Sequence, residues 1–186
     1  MKKILHPSLI YLLMFLISCN EPNDNFKKDK METVQYVDIN KFMGDWYVVA
    51  NIPTFIEKEA TNAIESYRLD EEGNIATTFT FFKSSSPDKI VKYTPTGFIV
   101  NKKTNAEWRM QFLWPFKSKF LIIDLDKNYE TTVIGHPSRN YVWIMARSPI
   151  IEDSKYISII ENLTSVGYDI SKIKKEYNLE NYILLF

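Results

Sequence analysis

The chain has 186 residues and no net formal charge, because 23 lysines and arginines balance 23 aspartates and glutamates. Without a basic excess, binding to a nucleic-acid backbone is not expected. A content of 11 Tyr, 12 Phe and 4 Trp beside only 5 Gly excludes collagen-like and disordered chains. Cys19 is the sole cysteine of the sequence, so no intramolecular disulfide can form. One folded domain rich in aromatic side chains is therefore predicted.

Residues 1–18 have the features of a targeting segment. Two lysines precede an apolar stretch whose unbroken core is about ten residues, whereas a helix that spans a bilayer needs roughly 20. The sequence Leu16-Ile17-Ser18-Cys19 resembles the lipobox of bacterial lipoproteins, in which the cysteine becomes the acylated first residue. The alternative is an ordinary secretory signal with an incidental thiol. We expect Cys19 to carry a lipid anchor that holds the protein on a membrane.

Residues 19–30 are predicted to form a flexible tether, since they are polar and hold too few apolar side chains to fold. Asn20 follows the cysteine at the position where, in enterobacteria, an aspartate favours retention in the inner membrane. By resemblance to that sorting rule, we expect the outer membrane, with the domain facing the periplasm. The domain itself is predicted to span residues 31–173. The sequence leaves open the role of the apolar tail at residues 174–186.

Alternation of apolar and polar residues dominates the sequence between Gly44 and Arg147. The predicted strands are DWYVVAN, TNAIESYRLD, IATTFTFFK, IVKYTPTGFIV, AEWRMQFLW, FLIIDLD, YETTVIG and YVWIMAR, with a polar loop, SSSPDK, before the fourth. Short connections favour antiparallel neighbours. We therefore predict an all-β fold, an eight-stranded antiparallel up-and-down β-barrel that leaves no free edge. A β-sandwich is the alternative.

The pattern changes after Arg147. Five apolar residues are spaced as one face of a helix, and Gly167 is placed to end it. These residues are Tyr156, Ile159, Ile160, Leu163 and Val166. We predict a C-terminal α-helix that packs this face on the outside of the barrel.

Gly44-Asp45-Trp46 at the first strand and HPSRNYVWIMAR at residues 136–147 together resemble the lipocalin family. WYVVANIPTFIEK and SVGYDISK are similar to bacterial lipocalins and to those of the apolipoprotein D type, and the resemblance covers about residues 36–173. It implies that Trp46 plugs the closed end of a cup-shaped barrel, the calyx. It also implies that Arg147 stacks across Trp46 in a cation–π contact and that Gly44 lets the chain pass close under the barrel. These three residues have a structural role.

The ligand is expected among the side chains that point into the calyx. With Trp46 and Arg147 as anchors for the alternation, we predict a ligand-binding set that is mostly apolar and aromatic, as suits an acyl chain. Its members are Val48, Ala50, Glu65, Thr77, Phe79, Tyr93, Trp108, Met110, Phe112, Phe120, Ile122, Ile134, Tyr141, Trp143 and Met145. A shift of one residue in the register of a strand would exchange its inward-facing and outward-facing side chains. The alternative is a barrel filled by its own side chains.

Glu65 is an acidic residue in this mostly apolar set. A carboxylate there needs a partner or water, and it would favour ligands with a cationic or hydroxyl head over bare fatty acids. The alternative is a bulge or register error that turns Glu65 outward.

Catalysis has little support in the sequence. His136 stands in a predicted turn, and neither a metal-ligand spacing nor a phosphate-binding glycine loop is present. We therefore predict a binding protein without cofactor or metal, which transports or stores a hydrophobic ligand. Fatty acids or lysophospholipids are expected by resemblance to bacterial lipocalins. An envelope structural or interaction protein and a lipid-modifying calyx enzyme are the alternatives, and a homodimer is left open.

Overall fold

The computed structural model describes residues 30–176. The signal segment, Cys19, nearly all of the predicted tether and the tail from Tyr177 lie outside the described residues. In chain order the elements are α1 (Ile39–Phe42), β1 (Gly44–Ile52), β2 (Ala60–Leu69), β3 (Ile75–Lys83), β4 (Ser86–Tyr93), β5 (Thr96–Ile99), β6 (Glu107–Leu113), β7 (Phe116–Leu125), β8 (Thr131–Gly135), β9 (Val142–Ala146), α2 (Asp153–Ser165) and β10 (Lys174–Lys175).

The strands form one closed antiparallel sheet. The sheet order is β1-β2-β3-β5-β6-β7-β8-β9, with β4 paired with the other end of β3 and β10 paired with β1. Strand β9 returns to pair with β1, from Tyr47 opposite Ala146 to Ile52 opposite Val142. The predicted eight-stranded antiparallel barrel is confirmed, and the β-sandwich alternative is wrong. Closure removes the free edges of β1 and β9, whereas β4 pairs with β3 alone among the described strands.

The fourth predicted strand is broken into β4 and β5 at Pro95. A proline has no N–H to donate to the ladder, and the two parts pair with different portions of β3. The segment SSSPDK, predicted to be a polar loop, is mostly strand. Only Ser84 and Ser85 form the turn, and β4 begins at Ser86. Its polar side chains are tolerated because this part of β4 is exposed.

Helix α2 packs on the outside of the barrel, as predicted. Ile159 and Leu163 are buried against outward-facing residues such as Ile144, and each such burial stabilises the fold by about 1.5–3 kcal/mol. The helix ends at Ser165, and Gly167, just after the C-cap Val166, adopts a φ of 87°, while the N–H of Tyr168 donates to the carbonyl of Leu163 at 3.0 Å. Within residues 30–176, no helix is long and apolar enough to cross a bilayer.

Besides a short 3-10 helix at Ile170–Lys172, two elements were not predicted. The single-turn helix α1 lies before β1, is capped by the carboxylate of Asp38, and buries Phe42 completely. Strand β10 belongs to the segment that the sequence analysis assigned to the tail. Lys174 and Lys175 pair with Asn51 and Ala50, where the upper part of β1 has separated from β2.

A candidate ligand cavity at the open end of the barrel

The closed end of the barrel is built on Trp46 and Arg147. The guanidinium carbon of Arg147 lies 3.8 Å from the centre of the Trp46 ring, the predicted cation–π contact, which contributes about 0.5–2 kcal/mol. Gly44 has a φ of 98°, and a Cβ there would lie only 3.3 Å from Nη1 of Arg147. Glycine therefore provides the backbone conformation and leaves room for the guanidinium.

Arg147 also joins the end of helix α1 to the barrel. Its Nη1 donates to the carbonyl of Asp45 at 2.7 Å, and its Nη2 donates to the carbonyls of Lys41 and Met43, each at 2.8 Å. The indole Nε1 of Trp46 donates to the carbonyl of Phe42 at 2.8 Å. One planar cation thus serves several carbonyls that an alkyl ammonium could not reach together.

Aromatic rings fill the lower half of the barrel. Phe42 contacts Trp46, Tyr67 and Trp108 at centroid distances of 5.0, 5.8 and 5.4 Å. Above them, Phe120 stacks on Trp108 at 5.2 Å with an angle of 10° between the planes. No room for a ligand is left between these rings, so the filled-barrel alternative describes this half of the interior.

The upper half holds a cavity of about 710 Å³ that opens at the end opposite Trp46. This volume lies within the range of about 300–1,000 Å³ found for small-molecule sites. Its walls come from β6, β7, the end of β4, the β1–β2 loop and single residues of β2 and β9. The lining residues are Thr54, Phe55, Ile56, Glu57, Glu65, Tyr93, Met110, Phe112, Leu113, Phe116, Lys117, Ser118, Lys119, Phe120 and Trp143. The lining is mainly apolar.

Most residues of the predicted set lie in the interior, but fewer than half line the cavity. The lining members are Glu65, Tyr93, Met110, Phe112, Phe120 and Trp143. Others are packed into the interior core, namely Val48, Phe79, Trp108, Ile122, Ile134 and Met145. Thr77 is also buried, opposite Tyr67, with its hydroxyl on the Ile75 carbonyl. Tyr141 immediately precedes β9 and stacks on Trp143 at 6.5 Å.

The prediction for Ala50 was wrong. The pairing of β1 with β9 shifts register between Val48 and Ala50, and this bulge reverses the alternation. Ala50 therefore packs in the outer cluster beneath α2. The inward position passes to Asn51, which stands opposite Trp143, is 1% exposed, and has an Oδ1 without a hydrogen-bond partner.

Glu65 faces inward, as predicted, and the outward alternative is wrong. It is buried, lines the cavity floor, and accepts a hydrogen bond from the hydroxyl of Tyr67. Burial raises the pKa of Glu65 to about 7; the Tyr67 hydrogen bond opposes this rise, and the nearby charge of Glu57 adds to it. Near neutral pH this carboxyl therefore exchanges between its neutral and charged forms.

Glu57 is a functional candidate that the sequence analysis missed. Its Oε1 accepts from the indole Nε1 of Trp143 at 2.7 Å, and its Oε2 accepts from the N–H of Thr54 at 2.9 Å and from the Thr54 hydroxyl. It thereby fixes the β1–β2 loop over the cavity mouth. Thr54-Phe55-Ile56-Glu57 fits the capping-box pattern, in which a glutamate bonds back to the N–H three residues earlier. This capping-box pattern was the sequence signal from which the role of Glu57 could have been predicted.

His136, the histidine of the predicted turn, lies outside the cavity. It belongs to the β8–β9 loop, and its Nδ1 is 2.8 Å from the Ser138 hydroxyl and accepts from the Ser138 N–H. The imidazole therefore holds a turn, and partial burial lowers the pKa of His136. Over the described part of the chain, no group of three or more His, Cys, Asp or Glu side chains is arranged to hold a metal ion.

A closed antiparallel barrel, shut at one end by a tryptophan–arginine stack and holding an apolar cavity at the other, defines a calyx-type binding protein. Residues 37–178 match the family model of the lipocalin-like domain. The chain belongs to the lipocalin family, whose members bind small hydrophobic ligands.

Individual relatives support this assignment. The chain is 24% identical over 159 residues to the outer membrane lipoprotein Blc of Escherichia coli (strain K12), covering 84% of this chain and 86% of that protein. It is 30% identical over 145 residues to apolipoprotein D of Mus musculus, covering 73% and 74%. Insecticyanin from the tobacco hornworm Manduca sexta has the same fold, with a TM-score of 0.63 at 16% identity, covering 80% and 84%. The predicted resemblance to bacterial lipocalins and apolipoprotein D is confirmed.

Proposed function

We propose that this protein binds a lipid with a single acyl chain, a fatty acid or a lysophospholipid, and transports or stores it in the cell envelope. The observation that carries the proposal is the cavity of about 710 Å³, which is apolar along its walls and open at one end. An acyl chain entering it gains about 0.8 kcal/mol for each methylene removed from water. The ligand's polar head then lies near Glu65 or at the mouth.

The proposed location is the outer membrane, with the barrel in the periplasm. Cys19 stands in a sequence that resembles a lipobox, and the similar protein Blc is named an outer membrane lipoprotein. Acylation of Cys19 would keep the calyx beside the lipids that it binds. This anchor is part of the proposal and is tested separately below.

Binding is favoured over the two alternative functions. A purely structural role would leave an open apolar cavity without use, at a cost in packing. A calyx enzyme needs a nucleophile and a base facing the ligand. Among the described residues, the cavity's carboxyls are Glu57, which holds the loop, and Glu65, which is bonded to Tyr67.

The direct test is to purify the protein from its native membranes and to identify co-extracted lipids by mass spectrometry. Delipidated protein is then titrated with a fluorescent fatty acid, and each lipid is scored by displacement. Ser118→Trp places an indole in the cavity and should lower the affinity at least tenfold. The control, Ser158→Trp on the exposed face of α2, should bind as the wild type does.

Absence of any co-purified or displacing lipid would contradict the proposal. Conversion of the bound lipid during incubation, lost in Ser118→Trp, would favour the enzyme instead.

A further inference from the structure

The open end of the barrel carries an exposed apolar surface. The β6–β7 hairpin projects from the wall, and residues 112–119 are all exposed. Leu113, Trp114 and Phe116 at its tip are 71%, 81% and 73% exposed, and Phe55 in the β1–β2 loop is 82% exposed. We call these four residues the mouth collar. Phe55, Leu113 and Phe116 also line the cavity, so the collar surrounds its entrance.

The surroundings of the collar are basic. The segments at this end, residues 53–59, 83–92 and 112–119, contain Lys58, Lys83, Lys89, Lys92, Lys117 and Lys119. Their exposed acids are Glu59 and Asp88, because Glu57 is buried. Large aromatic side chains flanked by lysines are the composition of surfaces that lie in the headgroup layer of a bilayer. The positive surplus is complementary to anionic lipids.

The N-terminal segment approaches the barrel from the same end. Lys30 and Met31 lie in a groove on the outer wall that extends from Asn101 and Glu107 near the closed end to Lys119 and Pro137 toward the open end. The N–H of Val37 donates to the carbonyl of Thr104 in the closed-end β5–β6 loop, and the N–H of Val34 donates to that of Ile122, so the chain followed back from Val37 to Lys30 runs toward the open-end half. A membrane anchor attached upstream of Lys30 would therefore hold the barrel by that half.

We propose that the mouth collar docks on the surface of an anionic lipid bilayer, so that the entrance of the cavity opens directly onto the membrane. Trp114, Leu113 and Phe116 enter the headgroup layer, and the lysines contact lipid phosphates. A ligand can then pass between bilayer and calyx without exposing its acyl chain to water. This purpose rests on the proposed function, whereas the docking itself does not.

A second copy of the chain is a less suitable occupant. Two copies meeting symmetrically through this face would place the same lysines opposite one another, and like charges repel. They would also cover both entrances.

The experiment uses the chain from Asn20 to Phe186, which lacks the apolar signal segment and Cys19. It retains residues 30–176 and hence every described contact of the barrel. Co-sedimentation is measured with vesicles of phosphatidylcholine alone and with vesicles that also contain phosphatidylglycerol. The wild type should bind the anionic vesicles, and added salt should weaken the binding.

Trp114→Ser should reduce this binding about tenfold. It should leave fatty-acid affinity in solution unchanged, since Trp114 does not line the cavity. The matched control is Ile157→Ser, which removes an exposed apolar side chain of α2 and should bind vesicles as the wild type does. Lys58→Gln with Lys89→Gln should weaken binding to anionic vesicles only, and Lys102→Gln with Lys103→Gln, in the closed-end β5–β6 loop, should not.

Quenching by brominated lipid provides the structural readout. Trp46 and Trp108 are fully buried and Trp114 is 81% exposed, whereas Trp143 lines the cavity and could be quenched by a lipid bound there. Quenching that is lost in Trp114→Ser and kept in Trp143→Phe would therefore locate the collar in the bilayer. Docking is overturned if the wild type binds neither vesicle, if Ile157→Ser loses as much binding as Trp114→Ser, or if Trp114→Ser abolishes self-association and leaves vesicle binding unchanged. Vesicle binding without any lipid displacement would leave docking intact and contradict only the carrier function.

Discussion

Arg147 lies 3.8 Å above the ring of Trp46 while the same guanidinium donates to the carbonyls of Lys41, Met43 and Asp45. One side chain therefore links the end of β9, the start of β1 and the helix α1. The closed end depends on the planar shape of arginine as well as on its charge.

Substitutions at this pair should separate ring burial from hydrogen bonding. Trp46→Ala should lower the free energy of unfolding by about 3–5 kcal/mol, because a fully buried indole is removed. Arg147→Ala should cost less, about 2 kcal/mol, and Arg147→Lys should recover only part of it. Urea unfolding measures these differences. Arg68→Ala, an exposed arginine of β2, is the control and should stay within about 0.5 kcal/mol of the wild type. Equal stability of all four variants would contradict the role of the pair.

Glu65→Gln should change ligand preference. A charged carboxyl at the cavity floor repels a fatty-acid carboxylate and attracts a cationic head, and glutamine can still accept from the Tyr67 hydroxyl. Binding of lysophosphatidylcholine should weaken and binding of fatty acid should strengthen, each by a few-fold, in displacement titrations. Glu161→Gln on the exposed face of α2 should alter neither. Equal changes for both ligands would rule out a selective role for Glu65.

Stability should fall as the pH rises from about 4.5 to 7. The pKa of Glu65 is raised by burial from 4.5 to about 7, so the folded protein holds a proton in this range that the unfolded chain has released. The stabilisation from this bound proton is fully present below pH 4.5, the pKa in the unfolded chain, and is lost as the pH rises to about 7, the pKa in the folded protein. The free energy of unfolding should fall by about 3 kcal/mol over this range. Glu176, whose pKa burial also raises to about 7, acts in the same direction.

Thermal unfolding at a series of pH values tests this expectation. Glu65→Gln should flatten the decline and should be more stable than the wild type at pH 8. A decline of the same size in Glu65→Gln would assign it to other groups, with Glu176→Gln as the next variant to measure.

Cys19→Ser should abolish acylation, which intact-mass measurement of the wild type and the variant would reveal. The wild type should stay with the membrane fraction after a high-salt wash, since the wash removes only electrostatic attachment. The variant should be released while its barrel remains folded by circular dichroism. Retention of the variant at wild-type levels would argue against a lipid anchor at this residue.

The sequence was sufficient to predict the barrel, because alternation, short turns and the Trp46–Arg147 motif all indicate the same fold. It was not sufficient where a local irregularity overrides the alternation. The bulge after Val48 moves Ala50 outward and Asn51 inward, and a bulge has no reliable sequence signature. The cavity was predicted only in part, because alternation reports which side chains face inward and not how deeply rings such as Trp108 and Phe120 fill the interior.

Alternation also could not predict the residues in and beside the loops at the cavity mouth. Phe55, Glu57 and Phe116 line the cavity mouth, yet Phe55 and Glu57 lie in a loop, and Phe116 is the first residue of β7. Their positions follow from contacts distant in sequence, such as the bond between Glu57 and Trp143.

The ring-filled lower half sets a limit on how affinity grows with the length of an acyl chain. An acyl chain in the cavity, in either orientation, has only the depth between the mouth and Phe120, because Phe120 stacks on Trp108 and cannot move deeper. Up to that depth each added methylene should strengthen binding by about 0.8 kcal/mol. Beyond it, further carbons must remain outside the cavity, and affinity in water should reach a plateau. Phe120→Ala would deepen the cavity and move the plateau to longer acyl chains. The Phe120–Trp108 stack therefore sets the longest acyl chain that the cavity can enclose.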